Sequence, residues 1–449
     1  MAHGRSGDGA TVLVLSREVP HPPDAGDRIV THGFVRGLAE RGHAVHALTY
    51  GETEDDRERA RTLAETAESV RLTPREKSPL PARLRKLRNF AAGRSDVMAM
   101  FESPSLATAT RRAILDLDPD AVLAEHPYIG QVFRESGVRR AAREADATLV
   151  TNAHVVEFAV HRRYRDLAPD LETRAELALE TPRLRREELA VYEASDRVLV
   201  LGTEDRRELS DCSTPVATQH VGLDLSKYET KDRWRERAPE TPASGPGAGA
   251  SGTPEAPAPT TDDAAPTTDG GTSARATDLL FFGSYGWFPN EDAVTTFAEE
   301  AFPALRRRRP DARLVVAGRN APESVRALGD RPGVEFRGEV VDLAAAVREA
   351  AAVVAPLRIG GGTRLKILEA MAWGAPVVTT AAGFEGVDAR PGVDVAVASD
   401  WPEFVDECVE VLDSPERRRQ LGRNARRRVE QVYALEDAAA ELEANLRLS

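Results

Sequence analysis

Cysteine is almost missing from this chain: Cys212 and Cys408 are the only two in 449 residues, and they fall in different halves. Neither a disulfide framework nor a zinc site is therefore indicated, and both thiols are expected to be reduced. Long apolar runs are missing too. No stretch approaches the ~20 residues needed to cross a bilayer, and the opening Met1-Ala2-His3-Gly4-Arg5-Ser6-Gly7-Asp8 lacks the apolar centre of a signal peptide. The expectation is a cytoplasmic protein. Lysine is scarce: only Lys77, Lys86, Lys227, Lys231 and Lys366 among the 60 basic residues, leaving 55 arginines. Against 73 acidic residues the formal charge is −13, which argues against a nucleic-acid partner. An acidic, lysine-poor composition fits a salt-loving (halophilic) source, although a GC-rich genome alone also favours arginine and alanine. Finally, no G-x-G-x-x-G follows the first apolar run. The glycines Gly4, Gly7 and Gly9 precede it, which counts against a dinucleotide oxidoreductase.

What is present is a large α/β chain. A hydrophobic content of 41% is enough for two or three cores. Short β-rich runs alternate with helical ones in two regions, the pattern of two Rossmann-like parallel sheets. Residues 1–10 read as a flexible tail, 11–238 as a first domain and 278–430 as a second. Between the domains, 239–277 is dominated by Pro, Ala, Thr, Ser, Gly and Asp and reads as a disordered insertion. The last stretch, 431–449, reads as a helix packing back across the domains, with an oligomer interface as the alternative. In the first region Thr11-Val12-Leu13-Val14-Leu15 reads as a strand, Ile29, Val30, Phe34 and Leu38 as a helix face stopped by Gly42, and Ala147-Thr148-Leu149-Val150 as a later strand.

The most informative segment runs from Val353 to Val378. The run Val353-Val354-Ala355-Pro356-Leu357 feeds Gly360-Gly361-Gly362-Thr363-Arg364, a helix follows through Met371, and Gly374 stops it before another strand. Three glycines let backbone N–H groups approach an anion at the mouth of that helix. Lys366 and Glu369 stand three apart on one helical face, so a cation and a hydrogen-bonding carboxylate point the same way. A diphosphate and a ribose need such a pair.

This segment resembles the nucleotide-sugar-binding half of family-four glycosyltransferases, which retain anomeric configuration. The resemblance continues through Leu279-Leu280-Phe281-Phe282-Gly283, Leu314-Val315-Val316-Ala317-Gly318-Arg319 and Gly383-Phe384-Glu385-Gly386. The amino-terminal Pro22-Pro23-Asp24-Ala25-Gly26-Asp27-Arg28-Ile29 is similar to that of exopolysaccharide sugar transferases. The resemblance implies an α/β GT-B fold, two Rossmann-like domains facing across a cleft with the insertion between them. It also implies a retaining, metal-independent hexosyl transfer from a nucleotide-diphosphate sugar, with no cofactor, to a glycan or polyprenyl-linked acceptor in polysaccharide biosynthesis.

The resemblance carries roles onto residues. Glu369 would hold ribose hydroxyls, while Arg364, Lys366, Arg319 and the backbone of Gly361, Gly362 and Thr363 hold the diphosphate. Gly338 would meet the base, and Gly283 ends the second domain's first strand without the basic residues usual after it. Gly26, at a loop-to-helix junction, would bring backbone close to donor or acceptor, with an ordinary helix cap as the alternative. His154 heads His154-Val155-Val156-Glu157, similar to a His-Asn-Val-Glu signature with Val155 in place of Asn. A histidine after a strand's carboxyl end can hydrogen-bond sugar or phosphate, and Glu157 is expected to orient it or to cap structure. His126 is a comparable acceptor-side candidate. Asn290 reads as the N-cap of a helix beginning Glu291-Asp292. Many relatives carry two glutamates separated by seven intervening residues; Glu369 matches the second, and Gly361 stands at the first. That departure keeps a catalytically inactive nucleotide-sugar-binding protein open beside the transferase, and a nucleotide-sugar epimerase of the same fold is a further alternative.

One basic amphipathic segment stands apart from the cleft motifs. In residues 80–90, Leu84, Leu87 and Phe90 share one helical stripe, flanked by Arg83, Arg85, Lys86 and Arg88. Such a helix could rest on anionic lipid at the inner face of the cell membrane and guide a lipid-linked acceptor. The other reading is a packed helix with a solvated face.

Overall fold

The computed structural model describes residues 9–76, 78–168, 170–228 and 277–448. Most of the expected tail and nearly all of the low-complexity segment 239–277 lie outside these residues, as do 229–238 of the first domain. The first seven strands are β1 (Thr11–Ser16), β2 (Ala44–Tyr50), β3 (Ser69–Thr73), β4 (Ala121–Glu125), β5 (Thr148–Ala153), β6 (Arg197–Val200) and β7 (Val216–Thr218). They form one parallel sheet in the order β3-β2-β1-β4-β5-β6-β7. The second sheet is also parallel: β8 (Asp278–Phe282), β9 (Arg313–Ala317), β10 (Val334–Gly338), β11 (Ala352–Ala355), β12 (Val377–Thr380) and β13 (Ala396–Ala398), ordered β10-β9-β8-β11-β12-β13.

Helices cover both faces of each sheet, so the central strands are buried on both sides and read as continuous apolar runs. β4 and β8 are buried at every position. In each sheet the strand order reverses once, between β1 and β4 in the first and between β8 and β11 in the second. Loops leaving the carboxyl ends of strands at such a reversal diverge to opposite faces and leave a crevice. The β1 and β4 loops carry Gly26 and His126, and the β8 and β11 loops carry Gly283 and the triple glycine.

The chain crosses back at its end. The helix Pro415–Val432 packs on the helix Leu365–Ala372, and the next helix, Leu435–Leu446, lies along Gly26–Glu40 of the first domain. The close approach depends on Gly37, where a Cβ would come within 2.7 Å of the Ala439 methyl. Backbone hydrogen bonds from Leu223 N to Tyr433 O (2.8 Å) and Leu435 N to Leu223 O (3.1 Å) stitch the crossing. One of the three apolar clusters accordingly takes residues from both domains, including Val12, Phe34, Leu280, Met371 and Tyr433.

Candidate functional site

On the first-domain side the site is built around Glu125, the last residue of β4, which is 1% exposed. Its Oε2 accepts from Thr31 Oγ1 at 3.3 Å and Asn152 Nδ2 at 3.1 Å and pairs with His154 Nε2. The His154 ring lies 4.0 Å from that of His126, which stacks at 4.7 Å on Tyr128. Burial first, then the neighbouring His154, pushes His126 down to about 3, so its imidazole is neutral. His126 Nε2 lies 3.8 Å from Asp27, itself paired with Arg17. Burial would raise the Asp27 carboxyl, but His126 and Arg17 outweigh it and hold the group well below the carboxylate range.

Glu157 does not orient His154. It opens the helix Glu157–Leu167, its amide donates to Glu188 Oε1 at 3.0 Å, and burial lifts its carboxyl to about 7. The register of β4 beside β5 puts Glu125 opposite Asn152, two residues before the histidine, and that pairing delivers the carboxylate. Sequence reading gave no role to Glu125, Arg17 or Asp27, although Glu125 ends β4, Arg17 directly follows β1, and Asp27 lies in the first turn of the helix Gly26–Glu40.

Across the cleft, Lys366 Nζ donates to Asn290 Oδ1 at 2.6 Å and sits 4.2 Å from the centroid of the Phe281 ring. Asn290 is not an N-cap: the helix begins at Phe288 behind Trp287, and the Asn290 amide bridges Lys366 to Ser284 O at 2.8 Å. A Cβ at Gly283 would fall 3.1 Å from the ammonium, so the missing side chain leaves room for it. Burial pushes Lys366 down to about 7, helped by Arg364 and opposed by Glu369. Burial pushes Glu369 up to about 7, opposed by Tyr228 and Lys366. Tyr228, which no motif marked, points its hydroxyl at Glu369 Oε1 (3.4 Å) with its ring 5.0 Å from Trp373. Arg319 reaches to 3.9 Å from Asp24 of the other domain, and the Gly318 amide donates to Gly338 O at 2.6 Å. Gly26 begins its helix directly facing Leu365, whose methyl would be 3.3 Å from an added Cβ.

Arg364 is not available to a diphosphate. Its buried guanidinium braces the glycine loop from behind, donating to Gly361 O (2.5 Å), Gly362 O (3.0 Å) and Ala382 O (2.9 Å). The loop is also docked onto the first domain. The Gly362 amide donates to Asp205 Oδ2 at 2.7 Å, and Thr363 Oγ1 to Leu201 O at 2.6 Å and Gly386 O at 3.0 Å. Arg163 Nη1 donates to Gly360 O (2.9 Å) and Glu385 Oε2 (2.6 Å). Gly362 has φ +64°, and a Cβ there would lie 1.9 Å from His154 O; at Gly361 it would lie 2.8 Å from Val160 and 3.2 Å from Val155. Thr363 and the Gly362 amide, expected to meet a donor, thus meet the first domain.

Arg85 and Lys86 stand on the outer surface. Arg85 is bidentate to Asp96 at 2.9 Å for both bonds, which commits its charge within the domain, and Lys86 pairs with Glu176. Their helix, Ala82–Ala91, turns its apolar stripe outward: Leu84 is 54%, Leu87 64% and Phe90 42% exposed, the last under the Arg183 guanidinium. Packing against the core is therefore not what this stripe does. Among the described residues no helix is long and apolar enough to cross a membrane, and no three His, Cys, Asp or Glu side chains are grouped to hold a metal ion.

Comparison with known proteins agrees with this geometry. Residues 276–414 match the family model described as glycosyl transferases group 1. No curated protein matches the sequence. Among solved structures, sucrose-phosphate synthase from Thermosynechococcus elongatus is 16% identical with a TM-score of 0.66, covering 98% of each chain. HepE of Anabaena, solved with UDP and glucose, is 13% identical (TM-score 0.61; 98% of this chain, 100% of that one). TarM of S. aureus is 9% identical (TM-score 0.63; 98% and 100%). Residues 276–414 thus match the group 1 glycosyltransferase model, and the two parallel sheets around a cleft give the chain the GT-B fold.

Proposed function

We propose that the protein transfers a hexosyl unit from a nucleotide-diphosphate sugar to a glycan or lipid-linked acceptor, with retention of configuration and without a metal ion. The observation that carries this reading is the Lys366–Glu369 pair, two half-buried groups each brought to about 7 beside Gly283 at the strand-order reversal. An ammonium held partly out of water gains most from an anionic ligand, and a carboxylate one turn on accepts ribose hydroxyls. Arg319 adds a second cation from the end of β9. The leaving diphosphate would be stabilised by these fixed charges as the C1–O bond breaks and the sugar becomes oxocarbenium-like. The acceptor oxygen then forms its bond on the same face, and its proton passes to the departing phosphate oxygen. His154, its Nε2 held by Glu125 and its backbone carbonyl against Gly362 of the second domain, would hydrogen-bond the sugar or the phosphate.

UDP is the first nucleotide to try, because HepE was solved with it. Calorimetry of UDP, GDP, ADP and dTDP with chelator present, on wild type and Glu369→Ala, tests the site. Selective binding that falls at least about tenfold in the variant supports the reading, and no binding by folded protein to any of the four overturns it. Isomerised donor without acceptor would indicate an epimerase, and binding without turnover an inactive descendant. The exposed stripe Leu84, Leu87 and Phe90, flanked by the exposed Arg83 and Arg88, supports peripheral docking on anionic lipid at the inner membrane face, where a polyprenyl-linked acceptor would lie.

A further inference from the structure

We propose that Glu204 and Asp205 form an inter-domain latch on the glycine loop, in which the Asp205 carboxylate holds the amide that a donor's anionic group would take, so that latch and donor compete. The competition rests on the reading of this loop as part of the donor site; the latch itself does not. Two adjacent acids on the short helix Thr203–Glu208 grip two different loops of the second domain. Glu204 Oε2 accepts from the Gly386 amide at 3.0 Å, and Asp205 Oδ2 from the Gly362 amide at 2.7 Å. Thr363 Oγ1 to Leu201 O and Arg163 to Gly360 O close the ring around the loop.

The contact has the chemistry of an anion site already filled. Asp205 is buried, a backbone N–H points at it, and the Arg364 guanidinium braces the same loop from behind. A carboxylate accepting a backbone N–H beside a cation is what a phosphate oxygen would do there. The neighbouring surfaces leave no room for both ligands. Gly361 abuts Val155 and Val160, and Gly362 sits on His154 O. The space left among Arg163, Glu204, Asp205, Gly361 and Glu385 is a cavity of about 0 Å³, too small even for a water molecule, against the ~300 Å³ of a small ligand pocket. A sugar that reaches Gly361 therefore requires the loop to part from the first domain. The latched form is the donor-free resting state, and donor binding must break two hydrogen bonds from the Glu204–Asp205 pair.

Spin labels, one on an exposed helix of each domain, report the separation without any ligand. Asp205→Ala and Glu204→Ala are each compared with Asp211→Ala, an exposed acid nearby that grips neither loop. Glu204, being partly exposed, keeps the test open if Asp205→Ala folds poorly. The expected result is a wider distance distribution in both latch variants, widest in the double variant and unchanged in the control. UDP is expected to bind Asp205→Ala about three- to tenfold more tightly, because the competent open form is no longer a minor population. Wild-type distances in the folded double variant overturn the latch. Wider distances with weaker UDP binding overturn the competition, and wider distances with no UDP binding by any form leave the latch standing while the donor reading fails.

Discussion

Replacing Lys366 by methionine separates binding from stability more cleanly than any other change in the cleft. Burial lowers this ammonium from the usual 10.5 to about 7, which corresponds to about 5 kcal/mol of disfavour for the charged form in the folded protein. Methionine removes that cost while keeping the length of the stem. It also removes the 2.6 Å hydrogen bond to Asn290 and the contact over Phe281, together worth about 2–3 kcal/mol. The balance leaves Lys366→Met about 2 kcal/mol more stable than wild type near pH 6. The sign of the pH dependence follows from the depressed value. Between about 7 and 10.5 the unfolded chain carries a proton at Lys366 that the folded chain has shed, so wild-type stability rises with pH by about 1.4 kcal/mol per pH unit. The advantage of the variant should vanish between about pH 8 and 9 and reverse above that. Glu369 works in the opposite sense: raised from 4.5 to about 7, it stabilises below pH 4.5, and that contribution is lost as pH rises to 7. Denaturant midpoints at pH 6, 7.5 and 9 give the first measurement, and UDP calorimetry the second, where loss of the cation should cost about 2–3 kcal/mol, or some 30- to 150-fold. A variant less stable than wild type at pH 6, or an advantage that grows with pH, refutes the argument that Lys366 is held under a desolvation cost.

Three further outcomes follow from contacts on the page. Gly362→Ala puts a Cβ against His154 O at φ +64°, whereas Gly392→Ala has φ +72° and open space; the first should lower the free energy of unfolding by about 2–4 kcal/mol and the second by about 1 kcal/mol, and equal losses would remove the loop contact as the cause. Glu125→Gln keeps acceptors for Thr31 and Asn152 but takes the charge from beside His154. Turnover should fall about 10- to 100-fold with the melting temperature and UDP affinity unchanged, and a fall in turnover that only tracks a lowered melting temperature would show that Glu125 acts through folding. Leu84→Glu with Leu87→Glu, both at exposed positions, should abolish co-sedimentation with phosphatidylglycerol vesicles without moving the melting temperature. No wild-type binding to such vesicles would end the membrane reading.

The sequence determined the architecture and half of the cleft. Short continuous apolar runs such as 12–15 and 279–282, bounded by polar or glycine residues, fit strands covered on both faces, and their alternation with helical periods leaves parallel sheets as the economical solution. The strand, triple glycine, helix and Gly374 stop are a local signal, so the loop, Lys366 and Glu369 were legible before any coordinates. Tertiary structure alone decided what each polar group in the loop touches. Arg364 and Lys366 are two residues apart and both cationic, yet one turns inward onto the loop's carbonyls and the other toward Asn290 and Phe281. Glu125 reaches His154 because β4 and β5 run side by side, a register that no local window contains. Asp205 meets Gly362 from 157 positions away in the chain. Local pattern reports which groups a segment offers; the partner of a buried charge is fixed by which strands and loops come to lie beside it, and that is a property of the packed chain alone.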